Sequence, residues 1–138
     1  MPKVIKTRNG ETWTEARYRS FIVSALRKAS SRWGPKNAAK RDARHTEKLP
    51  NGKGRLVFHS VCNGCDAIVP ETESSVDHIE PVIDPHKGFT TWDEYIARLF
   101  CEKVGFQVLC KDCHDEKTKK EREIGKQRKR RERAGVST

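Results

Sequence analysis

The chain has 138 residues, of which 34% are hydrophobic and 35% charged, and its formal net charge is +10. This length allows one domain of ordinary size, and the low apolar content predicts a small core that needs a cross-link, for which the cysteines are candidates. The sequence has no apolar run long enough for a membrane span and no hydrophobic signal segment, so we expect a cytoplasmic, reducing compartment and no membrane partner.

The charge is distributed in blocks along the chain. Residues 1–48 hold 13 Lys and Arg against 4 Asp and Glu, a net charge of +9. Residues 49–116 hold 6 against 12, a net of −6, and residues 117–133 hold 10 against 3, a net of +7. Segregated basic blocks favour a polyanion, because neutralised phosphates release counterions. The simpler alternative is a solvated surface that aids solubility.

The N-terminal region predicts a long helix from Thr12 to Ser30. Thr12 and Glu15 have the spacing of a capping box. Apolar side chains recur at helical spacing and form a stripe that we interpret as core packing. The stripe consists of Tyr18, Phe21, Ile22, Ala25 and Leu26.

A second, shorter helix is predicted to follow. Gly34 and Pro35 end the first helix and begin the next, which we expect to end near Lys48. The Pro, Asn and Gly residues of 50–54 predict a turn, and a domain boundary is placed there. Residues 1–50 are therefore predicted to be a basic, helical, DNA-binding region.

The remainder of the chain alternates short strands with helices, so the predicted fold class is α+β. Thr91 and Glu94 match a capping box, and the helix that follows has one apolar face. A highly charged helix is predicted from Asp112 to roughly Arg133, with a kink or frayed point at Gly125 and disorder in the last residues. Strands are predicted at 56–58, 76–79 and 106–109, a loop at 81–89 and a helix at 91–100, with Trp92, Ile96, Leu99 and Phe100 on its apolar face.

Four of the five cysteines form two matched pairs with two residues between the members of each pair. Such spacing lets both thiolates of a pair reach one ion, and two pairs complete the tetrahedral four-sulfur shell that zinc accepts. Two disulfides or unligated thiols are the alternatives. Because sulfur fills every position, we expect a structural zinc with no site for water. The four residues are Cys62, Cys65, Cys110 and Cys113.

Two further residues lie near this motif without completing it. Cys101 follows two apolar residues and is predicted to be a buried free thiol. His59 precedes the first cysteine pair, and since four cysteines suffice for zinc we interpret it as a histidine at the surface or supporting the ligands.

Three polar residues form a candidate catalytic set. Asp77 and His78 lie on a predicted strand between the two cysteine pairs, and His114 directly follows the last cysteine. Hydrolysis of a phosphodiester needs a base that generates hydroxide, a divalent cation and a cationic surface that holds the strand. Each residue alone is more simply an ordinary polar residue or a helix cap, whereas the combination indicates a hydrolytic site.

The segments Val76-Asp77-His78-Ile79 and Cys110-x-x-Cys113-His114-x-x-Lys117-Thr118, enclosed by two cysteine pairs, resemble the HNH endonuclease family. The similarity is greatest to its small phage-type members, which include homing and nicking enzymes, and it covers about residues 56–120. The resemblance implies a ββα-metal (His-Me finger) core with a four-cysteine zinc site. That core would occupy residues 51–122, with a basic C-terminal helix and tail over 123–138.

The resemblance also implies residue roles. His78 is implied to be the general base, and Asp77 with His114 to hold one Mg²⁺ or Mn²⁺ ion. The implied substrate is double-stranded DNA, cut to 5′-phosphate and 3′-hydroxyl ends by a monomer or homodimer in the host cytoplasm if phage-encoded. Basic and polar residues near the core or on the N-terminal helices are candidates for DNA contact, namely Lys117, Thr118, Arg122, Arg27 and Arg32.

One position departs from the family pattern. The central Asn of the family, which braces the loop that bears the base, is replaced by Gly105. Either Gln107 or backbone groups substitute for it, or activity is reduced. The alternative hypothesis is accordingly a non-catalytic zinc-containing module that binds nucleic acid.

Overall fold

A computed structural model describes residues 3–135, in which four α-helices and three two-stranded antiparallel sheets confirm the predicted α+β class. The predicted disorder of the last residues concerns 136–138, which lie outside the described residues. The chain forms two compact units, Met1–Trp33 and Gly34–Thr138. In chain order the elements are α1 (Glu15–Ser30), α2 (Gly34–Asp42), β1 (Leu49–Pro50), β2 (Leu56–Val57), β3 (His59–Val61), β4 (Ile68–Pro70), β5 (Ser74–His78), α3 (Trp92–Leu99), β6 (Phe106–Cys110) and α4 (Lys111–Arg133).

The first unit contains α1, which begins three residues later than predicted. Thr14 has extended backbone angles, and its hydroxyl accepts a hydrogen bond from the amide of Arg17, so it is the N-cap. Thr12 instead donates its hydroxyl to the carbonyl of Asn9 at 2.7 Å, within the preceding turn. The predicted capping box at Thr12 is therefore wrong.

The apolar stripe of α1 is not the buried face that the sequence predicts. Phe21 is 60% exposed, and its ring lies 5.1 Å from that of Trp13 between centroids. Ser30 is the buried residue of this helix. The interpretation of the stripe as core packing is thus wrong for Phe21.

The centre of the second unit is the antiparallel pair of β5 and β6, with α4 following β6 directly. The register places Asp77 opposite Gln107 and His78 opposite Phe106. Along β6 every residue except Gln107 is buried, because α2 and α4 pack against this strand pair. Gln107 is therefore the one half-buried residue of β6, and it lies across from the carboxylate of the candidate residue Asp77.

Helix α2 ends at Asp42, well before the predicted end near Lys48. The residues that follow pair with β3 instead: the Val61 amide donates to the carbonyl of Ala43, and the His45 amide donates to the carbonyl of His59, each at 2.8 Å. The predicted strand at 56–58 is shorter in the structure: β2 ends at Val57 and pairs with β1, whereas β3 begins at His59 and pairs with β4. The functional division into 1–50, 51–122 and 123–138 stays a prediction.

The two later helices follow the sequence more closely. Thr91 caps α3 by accepting the amide hydrogen of Glu94 at 3.2 Å, as predicted. On this helix Leu99 is buried whereas Ile96 is 41% exposed, so the predicted apolar face is only partly covered. Helix α4 continues through Gly125 without interruption, so the predicted kink or frayed point is absent there.

None of the helices within residues 3–135 combines the length and the apolar character that crossing a membrane requires.

Candidate metal centre and candidate active site

The four cysteines meet at one point, where both pairs come together. Their Sγ atoms all lie within 4.8 Å of one another, close enough to hold one ion. Among residues 3–135, no other group of three or more Cys, His, Asp or Glu residues lies this close together. The core of the second unit is built around them: Cys62, Leu109 and Cys110 are buried together, with Val69 and Cys113 packed against them. The arrangement is compatible with a structural zinc, as the spacing predicts.

The first cysteine pair is fixed to β6 by an asparagine between its members. The Asn63 amide donates to the carbonyl of Val108 at 2.8 Å, and the Val108 amide donates to Oδ1 of Asn63 at 2.6 Å. Gly64 completes the turn, and a Cβ there would lie 3.2 Å from Sγ of Cys113. Asn63 thus makes two hydrogen bonds with Val108 of β6, one through its backbone and one through its side chain. The absence of a side chain at Gly64 leaves room for Cys113 of the second pair.

The electrostatics of the cluster favour a bound cation. Burial raises the pKa of Cys62, but amide hydrogen bonds outweigh this and lower it to about 6. Among these donors are the amides of Cys110 at 3.2 Å and Gly64 at 3.3 Å from Sγ. The neighbouring sulfurs, that of Cys110 first, raise the pKa of Cys113. The Cys62 thiolate therefore forms readily, and a cation bound beside it would favour loss of the proton of Cys113.

The remaining cysteine and the nearby histidine lie outside this group. Cys101 is half-buried rather than fully buried, and burial raises the pKa of its thiol. His59 is only 5% exposed, and its Nδ1 lies 3.0 Å from the carbonyl oxygen of Val57, so its placement at the surface is wrong.

Asp77 lies near the end of β5, and its carboxylate is held from two elements. The Gln107 amide on β6 donates to its Oδ2 at 3.1 Å, and the Lys117 ammonium on α4 lies 3.0 Å from the same oxygen. Lys117 also donates to the carbonyl of His78 at 3.0 Å and to Glu121 at 2.5 Å. Burial lowers the pKa of Lys117, but Glu121 and then Asp77 outweigh it, so the net pKa is raised.

The ring of His78 is oriented by the backbone carbonyl at the end of α3. Its Nε2 lies 2.9 Å from the oxygen of Leu99, and its ring centroid lies 4.8 Å from that of Phe106. A carbonyl oxygen only accepts, so Nε2 carries the hydrogen of this bond. In the neutral imidazole the lone pair is then on Nδ1, which is the atom that can accept a proton.

His114 lies in the first turn of α4, directly after the last cysteine. Its side chain is 38% exposed, and its Nδ1 lies 4.0 Å from a carboxylate oxygen of Asp115. Residues three apart share a helix face, so His114 lies one turn before Lys117 on the face that meets Asp77. The structure thus places Asp77 and His78 at the end of β5 and His114 in the first turn of α4, the helix whose Lys117 contacts Asp77.

Two contacts hold the end of β5 and the residue after it near Gly105, the position where the resemblance implies an asparagine. Gln107 donates to Asp77, and the carbonyl of Gly105 accepts the amide hydrogen of Ile79 at 2.9 Å. The space beside Gly105 is filled by Cys101, whose Sγ would lie 2.6 Å from a Cβ placed there. A backbone hydrogen bond therefore holds Ile79, the residue after His78, whereas Gln107 contacts the side chain of Asp77.

The predicted DNA-contacting residues fall into two groups. Lys117 and Thr118 are half-buried on α4, and the ammonium of Lys117 is engaged with acidic partners, whereas Arg122 is exposed. Arg27 and Arg32 belong to the first unit, where both are exposed.

Sequence reasoning missed two groups that contact the candidate site, and it named a third, Gln107, without its partner. The Leu99 carbonyl has no side-chain signal, because any residue supplies it. Glu121 follows Lys117 by four residues, and this spacing of a helical ion pair is a signal that could have found it. The pairing of Gln107 with Asp77 requires the register of β5 and β6, which spacing alone does not give.

Comparison of the chain with protein families, with curated proteins and with solved structures found no match in any of the three.

Proposed function

We propose that the protein is a metal-dependent DNA endonuclease of the HNH type, with β5, β6 and α4 as its ββα-metal core. One observation carries the proposal. Asp77 and His78 end β5, and the antiparallel partner of this strand, β6, leads through Cys110 directly into α4, the helix that bears His114. This order joins a strand-borne base to a helix-borne ligand. By its resemblance, the enzyme is a phage-type homing or nicking enzyme.

His78 is the proposed general base. Because Nε2 is committed to the Leu99 carbonyl, Nδ1 is the atom that accepts a proton from water. The contact with Phe106 and the hydrogen bond to Leu99 hold the ring from two directions, so the lone pair is oriented before substrate binds.

Asp77 and His114 are the proposed holders of one Mg²⁺ or Mn²⁺ ion. A carboxylate and an imidazole suit such ions, and the ammonium of Lys117 at Oδ2 of Asp77 supports a cation at this carboxylate. The ion, when bound, neutralises the scissile phosphate and the departing 3′ oxygen. A single site of this kind cuts one strand, so a monomer nicks DNA and a homodimer can cut both strands.

The zinc cluster has a structural role in this proposal. Cys113 and His114 are adjacent, and Cys110 ends the strand that pairs with β5, so a metal held by the cysteines fixes the start of α4 beside Asp77. Arg122 and the basic second half of α4 are proposed to contact DNA phosphates.

The deciding experiment is cleavage of supercoiled plasmid by the purified, zinc-loaded protein with Mg²⁺ or Mn²⁺. Nicked or linear DNA should accumulate, and His78→Ala should abolish it. His45→Ala is the matched control: the ring of His45 hydrogen-bonds to the backbone of Glu47, so its loss should leave cleavage intact. No cleavage by the wild type in either metal would refute the enzymatic proposal.

A second candidate function is a non-catalytic zinc module that binds nucleic acid. One observation favours it: Gln107 and Lys117 satisfy the Asp77 carboxylate without any metal ion. It predicts DNA binding with a steep salt dependence that is unchanged by Asp77→Asn or His78→Ala. Metal-dependent cleavage that His78→Ala removes would eliminate it.

A further inference from the structure

The ammonium of Lys117 is surrounded by three acceptors, two from consecutive residues of β5 and one from α4. It lies 3.0 Å from Oδ2 of Asp77, 3.0 Å from the carbonyl oxygen of His78 and 2.5 Å from Oε1 of Glu121. The three side chains are largely shielded from solvent, with exposures of 24% for Lys117, 15% for Asp77 and 30% for Glu121. This is an internal cation site that a lysine fills.

Oδ2 of Asp77 cannot bind the Lys117 ammonium and a divalent ion closely at the same time. A divalent ion on Oδ2 of Asp77 would lie within a few ångströms of the Lys117 ammonium, and like charges at that distance repel strongly where solvent screening is weak. Lys117 must therefore move away when a divalent ion binds Oδ2 of Asp77.

Glu121 gives the displaced ammonium a second partner. It lies four residues after Lys117 on α4, so it can keep the lysine without any change in the helix. The nearby pair of Glu116 and Lys120 has the same spacing, but its side chains are 70% and 73% exposed and its oxygen and nitrogen are 3.6 Å apart. Of these two pairs, the one at Lys117 is the pair that contacts β5.

We propose that Lys117 is an internal competitor for the divalent ion at Asp77, and that Glu121 sets the outcome by drawing the lysine away from that carboxylate. This inference rests on the proposed function, because it assumes that Asp77 holds the ion. Lys117 is in this view a positioning residue: it neutralises Asp77 while the ion is absent and is released toward Glu121, and toward the phosphate backbone, when the ion arrives.

The test is a titration of the zinc-loaded, full-length protein with Mn²⁺ alone, without DNA, followed by the electron paramagnetic resonance signal of free Mn²⁺. Lys117→Met should tighten Mn²⁺ binding by roughly three- to tenfold, because it removes a competing charged hydrogen bond. Glu121→Gln should weaken binding by about two- to fivefold, since the lysine then rests more on Asp77. Asp77→Asn should abolish the site in every background, and Lys120→Met should change nothing.

The double variant separates competition from direct coordination. In the Lys117→Met background, Glu121→Gln should have no effect on Mn²⁺ affinity, because the lysine that it controls is gone. Persistent weakening there would make Glu121 a ligand and overturn the proposal, as would unchanged or weaker binding in Lys117→Met. Zinc content and circular dichroism check that each variant folds. If Lys117→Met does not fold, Lys117→Gln, which keeps a donor for the His78 carbonyl, takes its place.

The plasmid assay distinguishes this inference from the proposed function. Cleavage by the wild type without these shifts in Mn²⁺ affinity would refute the competition and leave the nuclease. The shifts without cleavage would refute the nuclease and leave the competition.

Discussion

Sγ of Cys65 lies 3.8 Å from Sγ of Cys110, across the two cysteine pairs. Four thiolates about 2.3 Å from a central zinc in a tetrahedron lie about 3.8 Å from one another. This contact already has the spacing of two ligands of one ion. The two pairs therefore need little rearrangement to bind zinc. Because Cys62 and Cys110 are also buried core residues, the fold of the second unit and its candidate metal site depend on each other.

Replacing Cys65 by Ser should remove the zinc and most of the folded structure of the second unit. The buried group around Cys62 and Leu109 is small, and structural zinc contributes on the order of 10 kcal/mol of binding free energy to such folds. Zinc content after gel filtration and circular dichroism measure the loss. Cys101→Ser is the control and should retain one zinc per chain, whereas full zinc retention in Cys65→Ser would contradict the assignment.

The sequence predicts best those elements that depend on neighbours along the chain. The cap of α3 at Thr91 and the two ends of α4 follow from local spacing, and both are close to the prediction. The predicted end of α2 is wrong because Ala43 and His45 pair with β3, a contact between distant segments that competes with helix continuation. Tertiary pairing overrides local propensity at that point.

The candidate site divides in the same way. The cysteine spacing predicts the cluster because each pair is a chelate within one turn, and the chemistry of sulfur selects the ion. The partners of Asp77 and His78 are not predictable, since the Leu99 carbonyl is a backbone group and Gln107 depends on strand register. Periodicity in α4 also fails to reveal that Lys117 faces inward, because both faces of this helix are charged.

Two glycines of the second unit should respond in opposite directions to alanine. Gly125 lies within α4, and no atom lies within 4 Å of the place that a methyl group would take, so Gly125→Ala should stabilise the protein by about 0.5–1 kcal/mol. Gly88 has a φ of +77°, and a methyl group there would meet the guanidinium of Arg128. Gly88→Ala should therefore destabilise by about 1–3 kcal/mol.

Urea unfolding of both glycine variants checks these signs. Arg128→Ala combined with Gly88→Ala should recover only the steric part of the loss, because the strain of a positive φ remains. Complete recovery in this double variant would show that the backbone angle at Gly88 costs nothing.

Glu71 should stabilise the second unit across neutral pH. Its carboxylate accepts from Arg44 at 2.8 and 3.2 Å and lies 3.3 Å from the ammonium of Lys40, and these partners, Arg44 first, lower its pKa. A carboxyl with a lowered pKa in the folded state stabilises above its ordinary value of 4.5, and that contribution is lost as the pH falls through the lowered pKa. Glu71→Gln should cost about 1–3 kcal/mol at pH 7.

The pH dependence of this difference is the sharper measurement. The gap in unfolding free energy between wild type and Glu71→Gln should be constant from pH 8 to pH 5.5 and shrink only below the ordinary carboxyl range of about 4. Zinc thiolates also take up protons in acid, so zinc content is followed in both proteins at each pH. A gap that closes between pH 8 and 6 would show that a group other than Glu71 is responsible.

Replacing Gly105 by the asparagine that the resemblance to HNH endonucleases implies there should destabilise this protein. A Cβ at that position would lie 2.6 Å from Sγ and 3.2 Å from Cβ of Cys101, so Gly105→Asn should cost about 1–3 kcal/mol through overpacking. Cys101→Ala removes the closer contact, and the double variant should recover most of the stability. Thermal unfolding of the two single variants and the double variant measures this coupling. If the losses simply add, Cys101 does not occupy the space that an asparagine side chain at position 105 would need.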